Sequence, residues 1–232
     1  MEADLVVVTG DLVQRAHRWQ YRHAAAVLQA FTAPCLVVPG NHDLYSWIYR
    51  PWMRIGAPLG RYKRQVSADL SPVWEGRGVC VLGLNTATPW TIQRGRCTAA
   101  HARRIQRYFD AQPSSASRVL AVHHPLARVD LPCNRDIAQG AEQVLLAAAR
   151  AGVDLILCGH WHLSKAQEAH IDGKRIVIAM AGTATSRRYR KPQIGLNAFN
   201  VVELYTRRIT VEEWRYSPAE NAFMSSHTSS FG

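Results

Sequence analysis

The chain has 232 residues, of which 47% are hydrophobic and 19% are charged. This balance excludes an intrinsically disordered chain, which is poor in hydrophobic residues and rich in charge, and the length fits one domain or two small ones. The 28 lysines and arginines outnumber the 17 acidic residues and leave a net charge of +11. Such a charge favours anionic partners: nucleic acid, acidic membrane surfaces or phosphorylated substrates.

The cysteines and the start of the chain both favour a cytoplasmic protein. The five cysteines are odd in number and form no Cys-x-x-Cys pair, which argues against a disulfide framework or a zinc ribbon. The first residues, Met1 to Asp4, are acidic and predict no signal peptide. No apolar stretch approaches the roughly 18 residues that span a bilayer, so no membrane span is predicted.

The first two thirds of the chain alternate between short apolar runs and longer amphipathic segments. Runs such as Leu5 to Val8, rich in β-branched residues and soon followed by glycine, are typical of strands buried on both faces. Several segments between these runs carry apolar residues near helical spacing. In chain order we predict strand 5–8, helix 15–31, strand 36–38, strand 79–84, helix 99–110, strand 118–122, helix 138–151 and strand 154–158.

The last part of the chain has a different pattern. Segments 175–180, 198–204 and 208–215 resemble strands and have no helix between them. Alternation followed by consecutive strands predicts an α/β layered sandwich of two mostly mixed β-sheets flanked by helices. We predict one domain over residues 1–216. Residues 217–232 are rich in Ser and poor in hydrophobic residues, and we expect them to form a frayed, disordered tail.

Polar residues that suit a metal ion follow four of the apolar runs. Because ligands of open α/β sheets bind at the carboxyl ends of the strands, these four loops are expected to converge. Together they supply one carboxylate, one amide oxygen and three imidazoles, a set that suits Mn²⁺, Fe or Zn²⁺ better than Ca²⁺ or Mg²⁺. The motifs are Gly10-Asp11, Gly40-Asn41-His42-Asp43, His123-His124-Pro125 and Gly159-His160-Trp161-His162.

Each candidate ligand also has a purely structural explanation. Asp11 could cap the helix that follows it, and Asn41 could simply serve its turn, because Asn tolerates positive φ. The adjacent His123 and His124 could be a buried pair of hydrogen-bonded histidines.

The order and spacing of the four motifs resemble the calcineurin-like metallophosphoesterase superfamily over roughly residues 4–214. The combination of Gly-Asn-His-Asp with Gly-His-x-His carries most of this resemblance. The strand end Gly83 to Thr86 and the segment Ala181 to Thr185 are similar to the bacterial branch near the class III cyclic-nucleotide phosphodiesterases. The resemblance implies a double-sheet sandwich and a hydrolase of phosphate esters that uses two divalent metal ions, Mn, Fe or Zn.

The resemblance also implies a role for each candidate ligand. Asp11 would bridge the two metals. Asn41, His123 and His160 would complete the second metal site, and His162 would belong to the first. A hydroxide that bridges the metals would attack phosphorus opposite the leaving group.

Two residues of the Gly-Asn-His-Asp motif are candidate catalytic residues on the same grounds. His42 would be the general acid, or would stabilise the leaving oxygen, rather than bind metal, and its ordinary pKa suits proton donation near neutral pH. Asp43 would either orient His42 or complete the turn.

The chain departs from the family at one motif. The family opens with a strand that ends in Asp-x-His, and both residues bind the first metal, but this sequence contains no Asp-x-His triplet. The first site would then have only Asp11 and His162. We therefore expect the first strand of the fold to be missing and one tight metal site to remain. A truncated chain or a misplaced start codon is the simplest explanation, and natural loss of the first metal is the alternative.

Substrate-binding candidates come from a basic and aromatic segment, residues 44–68, which contains no acidic residue. Arginine pairs with phosphate and aromatic rings stack on bases, so Arg50 and Trp52 are candidates; a solvated loop with its aromatic rings in the core is the alternative. Trp161 and His124 are further substrate-binding candidates. As alternatives, Trp161 would pack in the core, and His124 would support the site or the fold. A second basic stretch, residues 187–191, would form another rim or a solubilising turn.

The function predicted from the sequence is metal-dependent hydrolysis of a phosphodiester or phosphomonoester. The partner would be an anionic phosphoester, with a cyclic nucleotide such as 3',5'-cAMP as the leading candidate. One alternative keeps the fold and changes the substrate to a nucleic acid or a phospholipid headgroup. Another is a catalytically impaired chain that acts as a binding or scaffold protein. The oligomeric state is not predicted.

Overall fold

The computed structural model describes residues 2–130, 136–186, 197–206 and 208–232. These residues form five α-helices, eleven strands and a 3₁₀ turn at Asn41–Asp43. The helices and strands in chain order are β1 (Val6–Val8), α1 (Arg18–Gln29), β2 (Cys35–Val37), α2 (Pro51–Gly56), α3 (Gly60–Gln65), β3 (Val73–Gly76), β4 (Val79–Leu84), α4 (Ala99–Asp110), β5 (Ser117–Val122), α5 (Ala141–Arg150), β6 (Leu155–Cys158), β7 (Lys165–Ile171), β8 (Lys174–Met180), β9 (Ala198–Tyr205), β10 (Arg208–Ser217) and β11 (Ala222–Phe231).

A six-stranded mixed sheet lies at the centre of the fold. Its strand order is β3-β4-β5-β6-β8-β7. The four inner strands are parallel, and the two edge strands run antiparallel to their neighbours. The inner strands are the continuous apolar runs of the sequence, as expected for strands that are covered on both faces. Their carboxyl ends meet at one edge of the sheet.

Alternate residues of the inner strands enter two different cores, because successive side chains of a strand point to opposite faces. In β5, Leu120 and Val122 pack with α4 and α5, whereas Val119 and Ala121 face a second β layer. That layer contains the parallel pair β1-β2 and the antiparallel sheet β11-β10-β9. The predicted layered α/β sandwich is confirmed. Its second layer consists, in the described residues, of two separate sheets rather than one mixed sheet.

The β1-β2 pair places two of the polar motifs side by side. The strands are parallel and in register from Val6 opposite Cys35 to Val8 opposite Val37. They therefore end together, and Asp11 and Asn41 follow at the same edge. Within the described ranges, β1 pairs with β2 alone.

The end of the chain differs from the predicted frayed tail. Residues 222–231 form β11, which pairs along its whole length with β10. The sequence does not reveal this strand because an edge strand is held by backbone hydrogen bonds and needs no apolar alternation. Aromatic contacts add to the pairing, since the ring of Phe223 lies 5.0 Å from that of Phe199 and 5.6 Å from that of Tyr216.

Several other elements have no clear signal in the sequence. The short helices α2 and α3 form within the basic and aromatic segment 44–68, and β3 and β7 are the polar edge strands of the central sheet. In the part of the chain that the structure describes, none of the helices is long and apolar enough to cross a membrane.

Candidate metal centre

The turns after β1 and β2 are joined by backbone hydrogen bonds to two carboxylates. Oδ1 of Asp11 accepts a hydrogen bond from the backbone N–H of His42 at 2.9 Å. The carboxylate of Asp43 accepts from the backbone N–H groups of Gly40 at 2.8 Å, Asp11 at 3.0 Å and Val13 at 3.2 Å. Asp43 thus completes the turn, the second of the two roles predicted for it, and it binds both loops to each other.

The burial of Asp43 changes the pKa of its carboxyl group. Only 1% of this residue is exposed. Burial, together with the nearby charge of Asp11, raises the pKa of Asp43 to about 7, against the opposing effect of the backbone N–H donors. A carboxylate that accepts three backbone hydrogen bonds is a structural anchor of the site, and these contacts do not extend to the His42 ring.

Two glycines allow the loops to approach each other closely. Gly10 has φ of +95°, and a Cβ there would lie 2.7 Å from Nδ1 of His123. A Cβ on Gly40 would collide with Oδ1 of Asp11. Glycine is therefore required at both positions by space, and at Gly10 also by backbone conformation.

Four of the predicted ligands meet at one imidazole nitrogen. Nε2 of His123 lies 3.2 Å from Oδ1 of Asn41, 3.2 Å from Nδ1 of His160 and 3.4 Å from Oδ2 of Asp11. Ligand atoms that each lie about 2.1 Å from one ion in tetrahedral or octahedral geometry are separated by roughly 3.0–3.4 Å. The observed separations fit a common ion.

Backbone carbonyls orient two of these side chains, His123 and Asn41. Nδ1 of His123 lies 2.6 Å from the carbonyl of Thr9, so Nδ1–H donates there and Nε2 faces the cluster. Nδ2 of Asn41 donates to the carbonyl of Ile92 at 3.2 Å, which directs Oδ1 to the same point. Three atoms that carry lone pairs then crowd the Nε2 atom of His123. A cation, either a proton or a metal ion, is needed among them, so the residues fit a metal.

The pKa values of the clustered side chains also indicate that this position favours a positive charge. Burial lowers the pKa of His123, but the carboxylate of Asp11 outweighs this effect, and the net pKa lies above the ordinary value. Burial raises the pKa of Asp11, but His123 and His42 outweigh it, and the net pKa lies well below the usual range. For His160, burial and the neighbouring His123 lower the pKa to about 3. His160 is therefore neutral near pH 7, with a lone pair for a metal.

Metal binding should weaken as the pH falls, and the cause is His123. Its raised pKa means that below this pKa an ion must displace one proton, which lowers the apparent affinity by about tenfold per pH unit. Above it no proton competes, and His160 adds no dependence until far lower pH. Titration calorimetry with Mn²⁺ from pH 5.5 to 8.5, in two buffers that differ in ionisation enthalpy, measures both affinity and proton release. An affinity that stays constant over this range would contradict the assignment of His123.

Backbone strain is concentrated at the same loops. Asp11, His160 and His162 all have positive φ, of 56°, 70° and 56°. Residues other than glycine adopt this conformation rarely, because it costs conformational free energy. Such strained residues cluster at functional sites. His162 lies two residues after His160 and contributes electrostatically to its low pKa.

His124 lies beneath the cluster rather than on its surface. It is 1% exposed, and its ring centroid lies 4.7 Å from that of His123 and 4.6 Å from that of His160. Nδ1 lies 2.8 Å from Oγ1 of Thr86. Nε2 is buried and makes no hydrogen bond within the described ranges. His123, His124 and His160 each offer a nitrogen within 4.8 Å of the others. The position differs from the predicted substrate contact and makes His124 a supporting, third imidazole.

The remaining substrate candidates divide into exposed and buried residues. Arg50 is exposed and Trp52 is 83% exposed, so both are available to a ligand. Trp161 is 3% exposed and belongs to the main core, which leaves its predicted packing role and excludes stacking on a base. The second basic stretch, 187–191, lies outside the described residues.

One residue of the site has no recognisable sequence signal. Arg54 is 4% exposed. Its guanidinium donates to the carbonyls of Tyr45 at 2.7 Å, Pro89 at 3.1 Å and Thr91 at 2.7 Å. Thr91 precedes Ile92, whose carbonyl holds the Asn41 amide. Arg54 therefore joins the loop after β2 to the loop after β4 and positions Asn41 through that loop.

Replacing Arg54 with lysine should weaken the fold and the metal site together. Lysine keeps the charge, but it lacks the planar group that reaches three carbonyls at once. We expect a loss of about 2 kcal/mol in the free energy of unfolding, and a roughly tenfold loss of Mn²⁺ affinity through Asn41. Urea unfolding and calorimetry measure these. Arg64→Lys, an exposed change in the same segment, is the control. Unchanged metal affinity in Arg54→Lys would show that the loop does not position Asn41.

Comparisons with known proteins agree with this geometry. Residues 1–164 match the family described as Calcineurin-like phosphoesterase (Metallophos). The chain is 29% identical over 182 residues to the 3',5'-cyclic adenosine monophosphate phosphodiesterase CpdA of Escherichia coli K12. The matched region covers 76% of this chain and 60% of that protein. It is 24% identical over 212 residues to the protein of the same name from Vibrio vulnificus, and this match covers 91% of this chain and 71% of that protein. The chain thus spans about 60% of the length of the Escherichia coli relative.

Solved structures show the same fold at low identity. A dimetal phosphatase from Danio rerio superposes with a TM-score of 0.62 at 15% identity, over 92% of this chain and 81% of that one. Zinc-bound Vps29 from Entamoeba histolytica gives a TM-score of 0.50 at 13% identity, over 100% of this chain and 84% of that one. The family match covers most of the chain and includes all four candidate metal motifs. The chain therefore belongs to the calcineurin-like phosphoesterase family.

Proposed function

We propose that this protein hydrolyses phosphodiester bonds with the help of divalent metal bound at the cluster around His123. The convergence of Asn41, His160 and Asp11 on Nε2 of His123 carries the proposal. Family membership and the similarity to two phosphodiesterases support it. The mixed oxygen and nitrogen ligands favour Mn²⁺, Fe or Zn²⁺.

The chain's own residues would divide the work as follows. Asn41, His123, His160 and Asp11 would hold one ion. Asp11 and His162 are the residues that a second ion would share, so we propose one tight site in this chain. A bound ion supplies charge that stabilises the phosphoryl oxygens and lowers the pKa of water.

His42 is the proposed general acid. Its ring is partly exposed, and Nδ1 lies 2.9 Å from the carbonyl of Gln14. In the protonated ring Nδ1–H donates to this carbonyl, and the proton for the leaving oxygen comes from Nε2. The backbone N–H of His42 donates to Asp11, which supports a position for the ring beside the proposed ligands.

We propose a cyclic nucleotide, with 3',5'-cAMP first, as the substrate. Two relatives are named as 3',5'-cyclic adenosine monophosphate phosphodiesterases. The exposed Arg50 and Trp52 offer a cation for the phosphate and a ring for the base. The net charge of +11 favours such an anion, although it equally suits a nucleic acid or a phospholipid headgroup.

Hydrolysis assays with Mn²⁺ test the proposal. The substrates are 3',5'-cAMP, bis(p-nitrophenyl) phosphate and p-nitrophenyl phosphate, each measured with and without chelator. Turnover of both diesters, lost with chelator, is the expected result. Turnover of the nitrophenyl diester alone would support phosphodiesterase activity but would reject a cyclic nucleotide as the substrate. No turnover of any ester by metal-loaded protein would reject the function and favour a binding or scaffold protein.

A further inference from the structure

Two loops beside the metal centre expose large apolar side chains. In the loop after β2, Ile48 is 85% and Tyr49 is 55% exposed, and in the loop after β4, Ile92 is 73% and Trp90 is 65% exposed. Single exposed apolar residues are ordinary, but several in adjacent loops mark an interaction surface. We refer to Trp47, Ile48, Tyr49, Trp90 and Ile92 as the aromatic rim.

The two loops of the rim form one surface because Arg54 holds them together. Its guanidinium donates to the carbonyl of Tyr45 in the first loop and to those of Pro89 and Thr91 in the second. It also lies 5.5 Å from the centre of the Trp47 ring. These contacts lock the backbone of both loops while their apolar side chains point outward. The exposure is thus a property of an ordered surface.

The rim borders the metal centre. The carbonyl of Ile92 accepts the hydrogen bond of the Asn41 amide, and Tyr49 lies 5.9 Å from His17 at the start of α1. A partner seated on the rim would therefore lie next to the loop that holds Asn41.

The charge around the rim is positive. No acidic residue occurs between residues 44 and 68, and Arg50, Lys63 and Arg64 are exposed there. Arg96 is exposed in the second loop, whereas Arg94 is paired with Asp136 at 2.5 Å. Exposed tryptophan and tyrosine together with basic residues are the combination found at the interface of anionic membranes.

We propose that the aromatic rim docks onto an anionic lipid bilayer and brings the metal centre to its surface. The isoleucines favour a bilayer over nucleic acid, because Ile48 and Ile92 have no ring to stack on a base and no hydrogen bond to offer. In the acyl region each side chain would be removed from water, which favours binding. The basic residues add an attraction to anionic headgroups that weakens with salt. This docking is separate from the proposed hydrolysis.

Vesicle binding tests the proposal with metal-free protein, so that the result does not depend on catalysis. Sedimentation is compared for vesicles of phosphatidylcholine with phosphatidylglycerol, vesicles of phosphatidylcholine alone, and single-stranded DNA. We expect binding to the anionic vesicles, reduced by high salt. The double variant Ile48→Ser/Trp90→Ser should bind at least about tenfold more weakly, and Lys63→Glu should weaken binding to anionic vesicles alone.

Phe31→Ser is the matched control. Phe31 is 47% exposed and follows the far end of α1, about 20 Å along that helix from the His17 end that touches the rim. The Phe31→Ser variant should bind vesicles as tightly as the unaltered protein does. The double variant should keep its activity on bis(p-nitrophenyl) phosphate, which shows that it is folded. Equal vesicle binding by the double variant, or binding to DNA in preference to vesicles, would overturn the proposal. Failure of hydrolysis with vesicle binding intact would reject only the proposed function.

Discussion

Replacement of His123 by alanine is expected to abolish tight metal binding and, with it, hydrolysis. Nε2 of His123 is the atom on which the other three ligands converge. The loss of affinity should exceed the roughly 10–100-fold that follows loss of a residue that only orients a ligand. Elemental analysis of the purified monomer and calorimetry with Mn²⁺ measure the stoichiometry and affinity.

The controls for this experiment separate metal binding from folding. Because His123 is buried, His160→Ala serves as a second variant: it removes another ligand from a less buried position. His170→Ala removes an exposed histidine of β7 and should leave metal binding unchanged. Full metal content in folded His123→Ala and His160→Ala would show that the ion binds elsewhere.

Replacement of His42 by alanine is expected to lower turnover by roughly 10²–10⁴-fold with metal content unchanged, because a general acid contributes about this much. Nδ1 of the His42 ring lies 2.9 Å from the carbonyl of Gln14. The loss should be large for a nucleotide and small for a nitrophenyl ester, whose leaving group needs little protonation. Steady-state rates over a series of leaving groups test this.

Two outcomes would contradict the role of His42. An equal loss for good and poor leaving groups would mean that the ring positions the substrate. A loss of metal in His42→Ala would make it a ligand. His101→Gln, in which a partly buried histidine of α4 is changed, controls for general effects of removing an imidazole.

Much of the fold follows from local sequence patterns. The bounds predicted for β4 and α4 are those observed, and β5, β6 and β8 differ by one residue at their starts. These elements are predictable because a strand covered on both faces must be continuously apolar, and because Thr98 caps α4 through its side chain. The short helices α2 and α3 and the polar edge strands depend on neighbours far along the chain, and local patterns do not reveal them.

The roles of single side chains around the site were less predictable. Asp43, Trp161 and His124 each had two possible roles from sequence, and burial decided among them. Asp43 accepts three backbone hydrogen bonds, and Trp161 enters the core. Arg54 resembles the other basic residues of its segment, and only the approach of the loop after β4 distinguishes it.

The sequence by itself determined the family, the order of the inner strands and main helices, and the identity of the candidate ligands. Alternation of apolar runs and short polar motifs is a local property, so it can be read without coordinates. The tertiary structure decided which atoms face one another: Nε2 of His123 toward Asn41, His160 and Asp11. It also placed β11 on the sheet and joined two loops through Arg54. Such contacts depend on the distance and direction between groups remote in the chain, and these exist only once the strands have paired and the cores have packed.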